Sequence, residues 1–388
     1  MIQIKNKVEC SGCYSCYNIC PQSCIAMISD AEGFSYPEVL RGNCIDCGLC
    51  EKVCPILNSK EENPVNNTIY PKAYACYNLK DQIRKKSSSG GMFFPLASWI
   101  LKNRGIVYGA AFDKEMTVRH IGVEREEELN KLQGAKYVQS KIGDTYLQVK
   151  EQLKRGRMVY FSGTPCQIDG LLFYLQQQYD NLICQDIVCH GVPSPKVWEY
   201  YLKYRNEIFG KEPISVNFRD KKHGWKAYDL RIDYSDGVYR CDHWNDPYMK
   251  AFLRNYILRP SCYKCHSKSI YRKSDITLAD FWGIEHVLPS LDDDKGISLV
   301  LINSKKGENV FSEVLNIIEK KEVGVDEAIK YNPSAYQSVQ LTDERELFMK
   351  QIFEGDFEKV VRKFINEKGI MKGIKWIKSI FSRNISCF

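Results

Sequence analysis

The chain has 388 residues, 44% hydrophobic and 27% charged, a globular composition that excludes wholesale disorder and allows two or three compact units. Its 55 Lys and Arg against 48 Asp and Glu give a net charge of +7, too mild to point to nucleic acid. No apolar run is long enough to span a membrane, and the opening MIQIKNKVEC lacks the layout of an export signal, so the expected compartment is the cytoplasm. There its 17 cysteines stay reduced and point to metal rather than disulfides.

The first predicted element, residues 1–58, is built on a duplicated cysteine run. Cys10, Cys13, Cys16 and Cys20 precede Pro21, and the same C-x2-C-x2-C-x3-C-P spacing recurs at Cys44, Cys47, Cys50, Cys54 and Pro55. Three cysteines three apart wrap one face of a cubic iron-sulfur cluster, which needs four soft thiolates, and the fourth reaches across to the other cluster. One [4Fe-4S] cluster is therefore expected on Cys10, Cys13, Cys16 and Cys54, the other on Cys44, Cys47, Cys50 and Cys20. Structural zinc, the rival reading, uses two pairs with a longer spacer. Cys24 lies outside the pattern and reads as a buried thiol. The segment resembles a bacterial-type two-cluster ferredoxin, a small α+β fold.

Residues 59–69 are polar and read as a linker. A mixed α/β domain follows, in an N-terminal part at 70–155 and a C-terminal part at 156–330. Strand-like runs stand at 106–112, 157–162, 182–189, 276–282 and 297–303 and helical periods at 92–103, 144–155, 166–179, 194–208 and 305–320, with no regular βαβ repeat. Neither G-x-G-x-x-G nor G-x-x-x-x-G-K-[ST] occurs, which leaves no Rossmann or P-loop signature. Ser87-Ser88-Ser89-Gly90-Gly91 before the helical run offers either a phosphate site at a helix N-terminus or a serine cap.

A second cysteine group lies in this domain. Thr164-Pro165-Cys166 opens a helix after a strand, Cys189 ends the next strand, and Cys262 and Cys265 form a C-x2-C pair. Together they make a thiolate set for a third [4Fe-4S] cluster. Zinc on Cys241, Cys262, Cys265 and a histidine, a haem attached at Cys262-Tyr263-Lys264-Cys265-His266, and plain buried thiols are the alternatives.

The segments SSSGGMF (87–93), GAKYVQS (134–140), FSGTPCQIDGL (161–171), DIVCHGVPSPKVW (186–198), NFRDKKHGW (217–225) and RPSCYKCHSKSIYRKSDITLADFWG (259–283) resemble those of the coenzyme F420 hydrogenase/dehydrogenase beta-subunit family. The resemblance covers about 72–330. It implies a non-Rossmann FAD-binding domain with an iron-sulfur cluster beside the flavin, passing electrons to a hydride acceptor. It implies FAD contacts from Ser88, Ser89, Gly90, Gly91, Lys136, Tyr137, Gln139, Ser140 and Thr164, with Asn217, Arg219 and Lys221 near the phosphates or the substrate mouth. Ala135 departs from the family's G-S-K-Y pattern, so a hydroxyl contact is lost there while the backbone role survives. His190, beside an expected ligand, is a proton donor or a packed histidine.

The rest, 331–388, reads as a helical tail. Its end places Ile370, Ile374, Ile377, Ile380 and Phe381 on one face with Lys372, Lys375, Lys378 and Arg383, a basic amphipathic helix suited to an anionic membrane surface, its own domain or a partner. The function expected is an FAD- and iron-sulfur-dependent oxidoreductase. It would exchange electrons with a carrier such as ferredoxin and pass hydride to a small conjugated substrate, with coenzyme F420 as one hydride partner. The rival is a non-catalytic subunit that relays electrons to a partner protein.

Overall fold

The computed structural model describes residues 1–58 and 71–365; the expected linker at 59–69 and the basic amphipathic end both lie outside the described residues. Residues 1–58 pair two strands, β1 (Ile25–Ser29) and β2 (Ser35–Val39), antiparallel. They also carry two short helices, Ser15–Ile19 and Leu49–Lys52, holding Cys16 and Cys50. The duplicated run folds twice into the same loop: Gly12 and Tyr14 in the first copy and Asp46 and Gly48 in the second all have positive φ, between 47° and 72°. This conformation is costly for Tyr and Asp, and its recurrence at matching positions marks a shape imposed by what the loop encloses.

The remaining strands are β3 (Lys72–Asn78), β4 (Ile106–Phe112), β5 (Val118–Val123), β6 (Val159–Gly163), β7 (Leu182–Ile187), β8 (Ser215–Asp220), β9 (Asp229–Asp233), β10 (Val238–Asp242), β11 (Ile276–Asp280), β12 (Ser298–Ile302) and β13 (Ile318–Val323). Eight of them form one mixed sheet in the order β13-β3-β12-β11-β7-β6-β4-β5, and β8, β9 and β10 form a separate antiparallel sheet. The expected N- and C-terminal parts thus interleave in one sheet. β4, β6, β7 and β11 run parallel, whereas β12 is antiparallel to both β11 and β3. So β3, β4, β6, β7 and β11 all finish at the same edge, where open α/β sheets place their ligands.

The pleat sorts the core. Val107, Tyr160 and Val300 face the helix Phe93–Lys102, while Tyr108, Val159 and Phe161 face the helices Thr145–Lys154 and Pro165–Leu175, giving an α/β/α sandwich. The helix expected over 305–320 stops at Ser312, and Ile318–Val323 joins the sheet edge instead. A third core gathers Trp198 and Tyr201 from the helix Pro195–Phe209, Phe218, Tyr248, and Phe348, Phe357 and Val361 from the C-terminal helices.

The ferredoxin-like module packs against this body. Ser15 donates to the carbonyl of Gly170 at 2.7 Å, Arg345 forks onto Glu32 at 2.9 and 2.7 Å, and Tyr14 joins the core of Tyr146 and Phe161.

Candidate functional site

Three sets of thiols are assembled. Cys16 is buried, and its thiol is pushed well above the usual range by desolvation and then by Cys13, Cys10 and Cys54 beside it. Burial raises Cys13 to about 11, with Cys10 and Cys54 again contributing. These are the four residues assigned to one cluster by the crossed-run rule. The second set, Cys20, Cys44, Cys47 and Cys50, lines one small cavity at the other end of the module. Cys47 is exposed there. Cys24 stands beside this set, its Sγ 3.4 Å from that of Cys20.

The third set is made by the sheet. β6 and β7 are parallel neighbours with Gly163 opposite Asp186, so the chain leaving each strand emerges side by side, Cys166 from one and Cys189 from the other. Thr164 caps the helix Pro165–Leu175 through a capping box with Gln167, which fixes Cys166 in its first turn. Cys262 enters from the turn Pro260–Lys264, and Cys265 follows it. Burial pushes the Cys166 thiol well up, and Cys265, Cys189 and Cys262 push it further; burial brings Cys189 to about 11 and Cys262 to about 12. Four desolvated thiols facing one another resist ionisation unless a cationic centre is shared among them, and a cubic cluster with four thiolate positions fits that donor set. Cys241 lies on β10 in the separate sheet. Among the described residues no three His, Cys, Asp or Glu close around a single ion, so the assignment rests on spacing and mutual burial.

At the carboxyl edge of the sheet opens a cleft of about 2130 Å³, roughly twice the upper end of ordinary small-ligand sites. Cys189 is on its wall. The loop Ser87–Gly91 follows the helix Asp81–Lys86 and enters the cleft at the N-terminus of the helix Phe93–Lys102, which has no side-chain cap. The serines bond elsewhere: Ser87 to the Ile83 carbonyl, Ser89 to that of Ile297, and Ser88 accepts from the Ala135 amide at 2.6 Å. The serine-cap reading is therefore not realised, and the helix dipole is left open to the cleft. Gly90 passes so close to the sheet that a Cβ would lie 2.4 Å from the Cys76 carbonyl oxygen.

A half-buried lysine and a buried arginine line the cleft. Lys136 donates to the carbonyls of Gln133 and Gly134 at 2.8 and 3.2 Å, and burial lowers it to about 7. Arg219 pairs with Asp280 at 2.8 Å and lies over Tyr228, 3.9 Å from the ring centroid; its buried Nε has no hydrogen-bond partner among the described residues. His120 is stacked on Phe161. Its Nε2 donates to the Ser162 carbonyl, so Nδ1 accepts from Ser140, whose oxygen accepts from Gln167. Burial holds His120 down at about 4, so this network is neutral and fixes the Thr164–Gln167 turn beneath Cys166. His190 also lines the cleft, its Nε2 bonded to Asn255 Oδ1 at 2.7 Å and burial lowering it.

Comparison with known proteins identifies two domains. Residues 156–327 match the family described as the C terminus of the coenzyme F420 hydrogenase/dehydrogenase beta subunit, and residues 9–57 match the 4Fe-4S dicluster domain. Residues 156–327 thus carry the C-terminal domain of the coenzyme F420 hydrogenase/dehydrogenase beta subunits, preceded by a 4Fe-4S dicluster domain. A curated relative, the ketoisovalerate oxidoreductase subunit VorC of Methanothermobacter marburgensis, is 34% identical over 58 residues, 14% of this chain and 73% of that protein. Among solved structures, a chain of the F420-reducing [NiFe] hydrogenase complex from Methanosarcina barkeri is 16% identical, aligned over 80% of this chain and 96% of its own, with a TM-score of 0.45. The chain is thus an iron-sulfur, oxidoreductase-type relative of the F420 hydrogenase beta subunits, and among its described residues no helix is long and apolar enough to cross a membrane.

The residues implied as flavin contacts divide. Ser88, Ser89, Gly91, Lys136, Tyr137, Ser140, Thr164 and Arg219 line the cleft. Four stand off its wall. Gly90 packs on Ser298. Asn217 accepts the Arg219 amide. Lys221 donates to the carbonyls of Arg84, Ser89 and Lys295, tying the serine loop down. Gln139 turns away to bond Ser11 and Arg259. Residues missed in the sequence include Trp282, Tyr228 and His243, which give the outer cleft its aromatic wall; only the stacking of the folded chain brings them together.

Proposed function

We propose that this chain is an iron-sulfur flavoprotein in which the three thiol sets hold [4Fe-4S] clusters and the cleft holds FAD next to the third set. The observation carrying the reading is the double position of Cys189, a member of the third thiol set and a wall residue of the cleft. The cleft is also chemically suited to a dinucleotide: an uncapped helix N-terminus, the Lys136 ammonium without a carboxylate beside it, and the unpartnered Arg219 Nε all favour phosphate. When bound, clusters supply single-electron exchange and a flavin converts single electrons to hydride.

The chain's own contribution is to bind, to orient and to accept a proton. Lys136 and the Ser87–Gly91 backbone would hold the diphosphate. Tyr137, Tyr228 and Trp282 would exclude water around a flat conjugated acceptor, of which coenzyme F420 is one. His190, neutral and donating through Nε2 to Asn255, leaves the Nδ1 lone pair to accept a proton at the cleft. A protein carrier such as ferredoxin would meet the exposed Cys47 end of the module. A second reading, a relay subunit serving a partner enzyme, is favoured by the relative named as an oxidoreductase subunit.

Iron, acid-labile sulfide and flavin per chain, measured on anaerobically purified protein, test the proposal. About twelve irons, four for each cluster, with one FAD are expected. About eight irons and no flavin would leave only the ferredoxin-like module and overturn it.

A further inference from the structure

Arg259 is 1% exposed and sits where two thiol sets meet. Its main-chain carbonyl accepts the amide of Cys262 at 2.9 Å, and its own amide bonds Val192, whose N–H lies 3.4 Å from Cys262 Sγ. Its side chain crosses to the ferredoxin-like module. Nε donates to the Cys10 carbonyl at 2.8 Å, Nη2 to the Ser35 carbonyl at 3.0 Å, and Nη2 is 3.7 Å from Cys10 Sγ. Gln139 braces it, accepting from Nη1 at 3.0 Å and donating to the Ser11 carbonyl. Gly12 gives way to it: a Cβ there would fall 2.8 Å from Nη1. Tyr36 lies under the guanidinium, 4.4 Å to the ring centroid.

Among the described residues no carboxylate pairs with it, so a positive charge stands buried beside Cys10. Hydrogen bonds and net charge at the ligand sulfurs set cluster potentials, and a buried charge is little screened. We propose that Arg259 is a positioning residue that locks the Cys10–Cys13–Cys16–Cys54 set against the Cys166–Cys189–Cys262–Cys265 set and raises the reduction potential of the former. The inward neighbour of the cleft-side set is then the first-run set, and the Cys20–Cys44–Cys47–Cys50 set is the outer terminal.

The inference rests on the three-cluster reading, and iron content separates the two. Fewer than about twelve irons in the unsubstituted protein would fail that reading. With iron complete, an EPR-monitored redox titration of the purified full chain reads the Arg259 role. Arg259→Gln is expected to lower one midpoint by about tenfold in the reduction equilibrium, about 59 mV for a one-electron couple, with Arg259→Lys restoring part of it. The shift should persist in a Cys166→Ser background. Full iron with all midpoints unchanged would overturn the proposal. If Arg259→Gln does not accumulate folded, Gln139→Glu sets a carboxylate against Nη1 and should lower the same midpoint; no change there also overturns it.

Discussion

Gly170 and Cys13 meet so closely that a Cβ added to the glycine would lie 2.7 Å from the Cβ of Cys13. Gly170 is one turn beyond Cys166 in the same helix, so the first-run thiols pack directly on the element that presents the third set. In an open helix Gly→Ala gains up to about 1 kcal/mol. Here the methyl collides with the module, and Gly170→Ala should instead cost about 1–3 kcal/mol, read as a lower thermal midpoint. A rise would mean that the contact is loose.

The third thiol set makes a sharp demand. Cys166→Ser or Cys265→Ser should each remove about four irons per chain while leaving the two ferredoxin-type signals in the EPR spectrum of the reduced protein. Unchanged iron in both variants would return these residues to the status of buried thiols.

Lys136 gives the cleft a pH dependence whose sign is fixed. Burial brings its ammonium to about 7, so in the empty cleft it is charged below that pH and neutral above. A bound phosphate favours the charged form, so binding takes up a proton above pH 7 and FAD affinity should fall as the pH rises. Below about pH 6 affinity should be flat. Lys136→Met should weaken binding about tenfold at pH 6, equivalent to about 1.4 kcal/mol, and abolish the slope. Titration of flavin-depleted protein with FAD, followed by flavin fluorescence, measures both; identical curves would remove Lys136 from the site.

Asp280 balances Arg219 inside the cleft wall and also accepts from Trp225 Nε1 at 2.9 Å. Removing the charge with Asp280→Asn leaves a buried guanidinium uncompensated, a change that typically costs about 3–5 kcal/mol. A large fall in thermal midpoint is expected, smaller with FAD present because the diphosphate supplies charge nearby. A fall that FAD does not lessen would place the diphosphate elsewhere.

What the sequence disclosed follows the range of the interactions concerned. The two N-terminal runs are legible because a cluster loop is a local object: spacing and proline define it, and the repeated positive φ at Gly12, Tyr14, Asp46 and Gly48 is its backbone counterpart. Cys166 and Cys189 are legible because consecutive strands are commonly neighbours, and β6 and β7 are. The strand at Ile318–Val323 is hidden, since its charged centre, with Lys320, Lys321 and Glu322 exposed, reads as helix surface. Gln139 shows another limit. Resemblance carries it to the flavin, but its partners are Ser11 and Arg259, 128 and 120 residues away, and no local pattern announces them. Glu32 and Arg345, 313 residues apart, pair for equally distant reasons.

The close approach of Gly33 to Lys196, where a Cβ on the glycine would fall 2.2 Å from the lysine's Cβ, joins the contacts at Gly170, Arg259 and Arg345 in seating the module on the body. A carrier arm that shuttles between stations slows in proportion to the thickness of its solvent. This one is built in, like a terminal soldered to its board. Internal electron transfer, triggered by flash reduction, should therefore keep its rate in concentrated sucrose, and only the arrival of the outside carrier should slow.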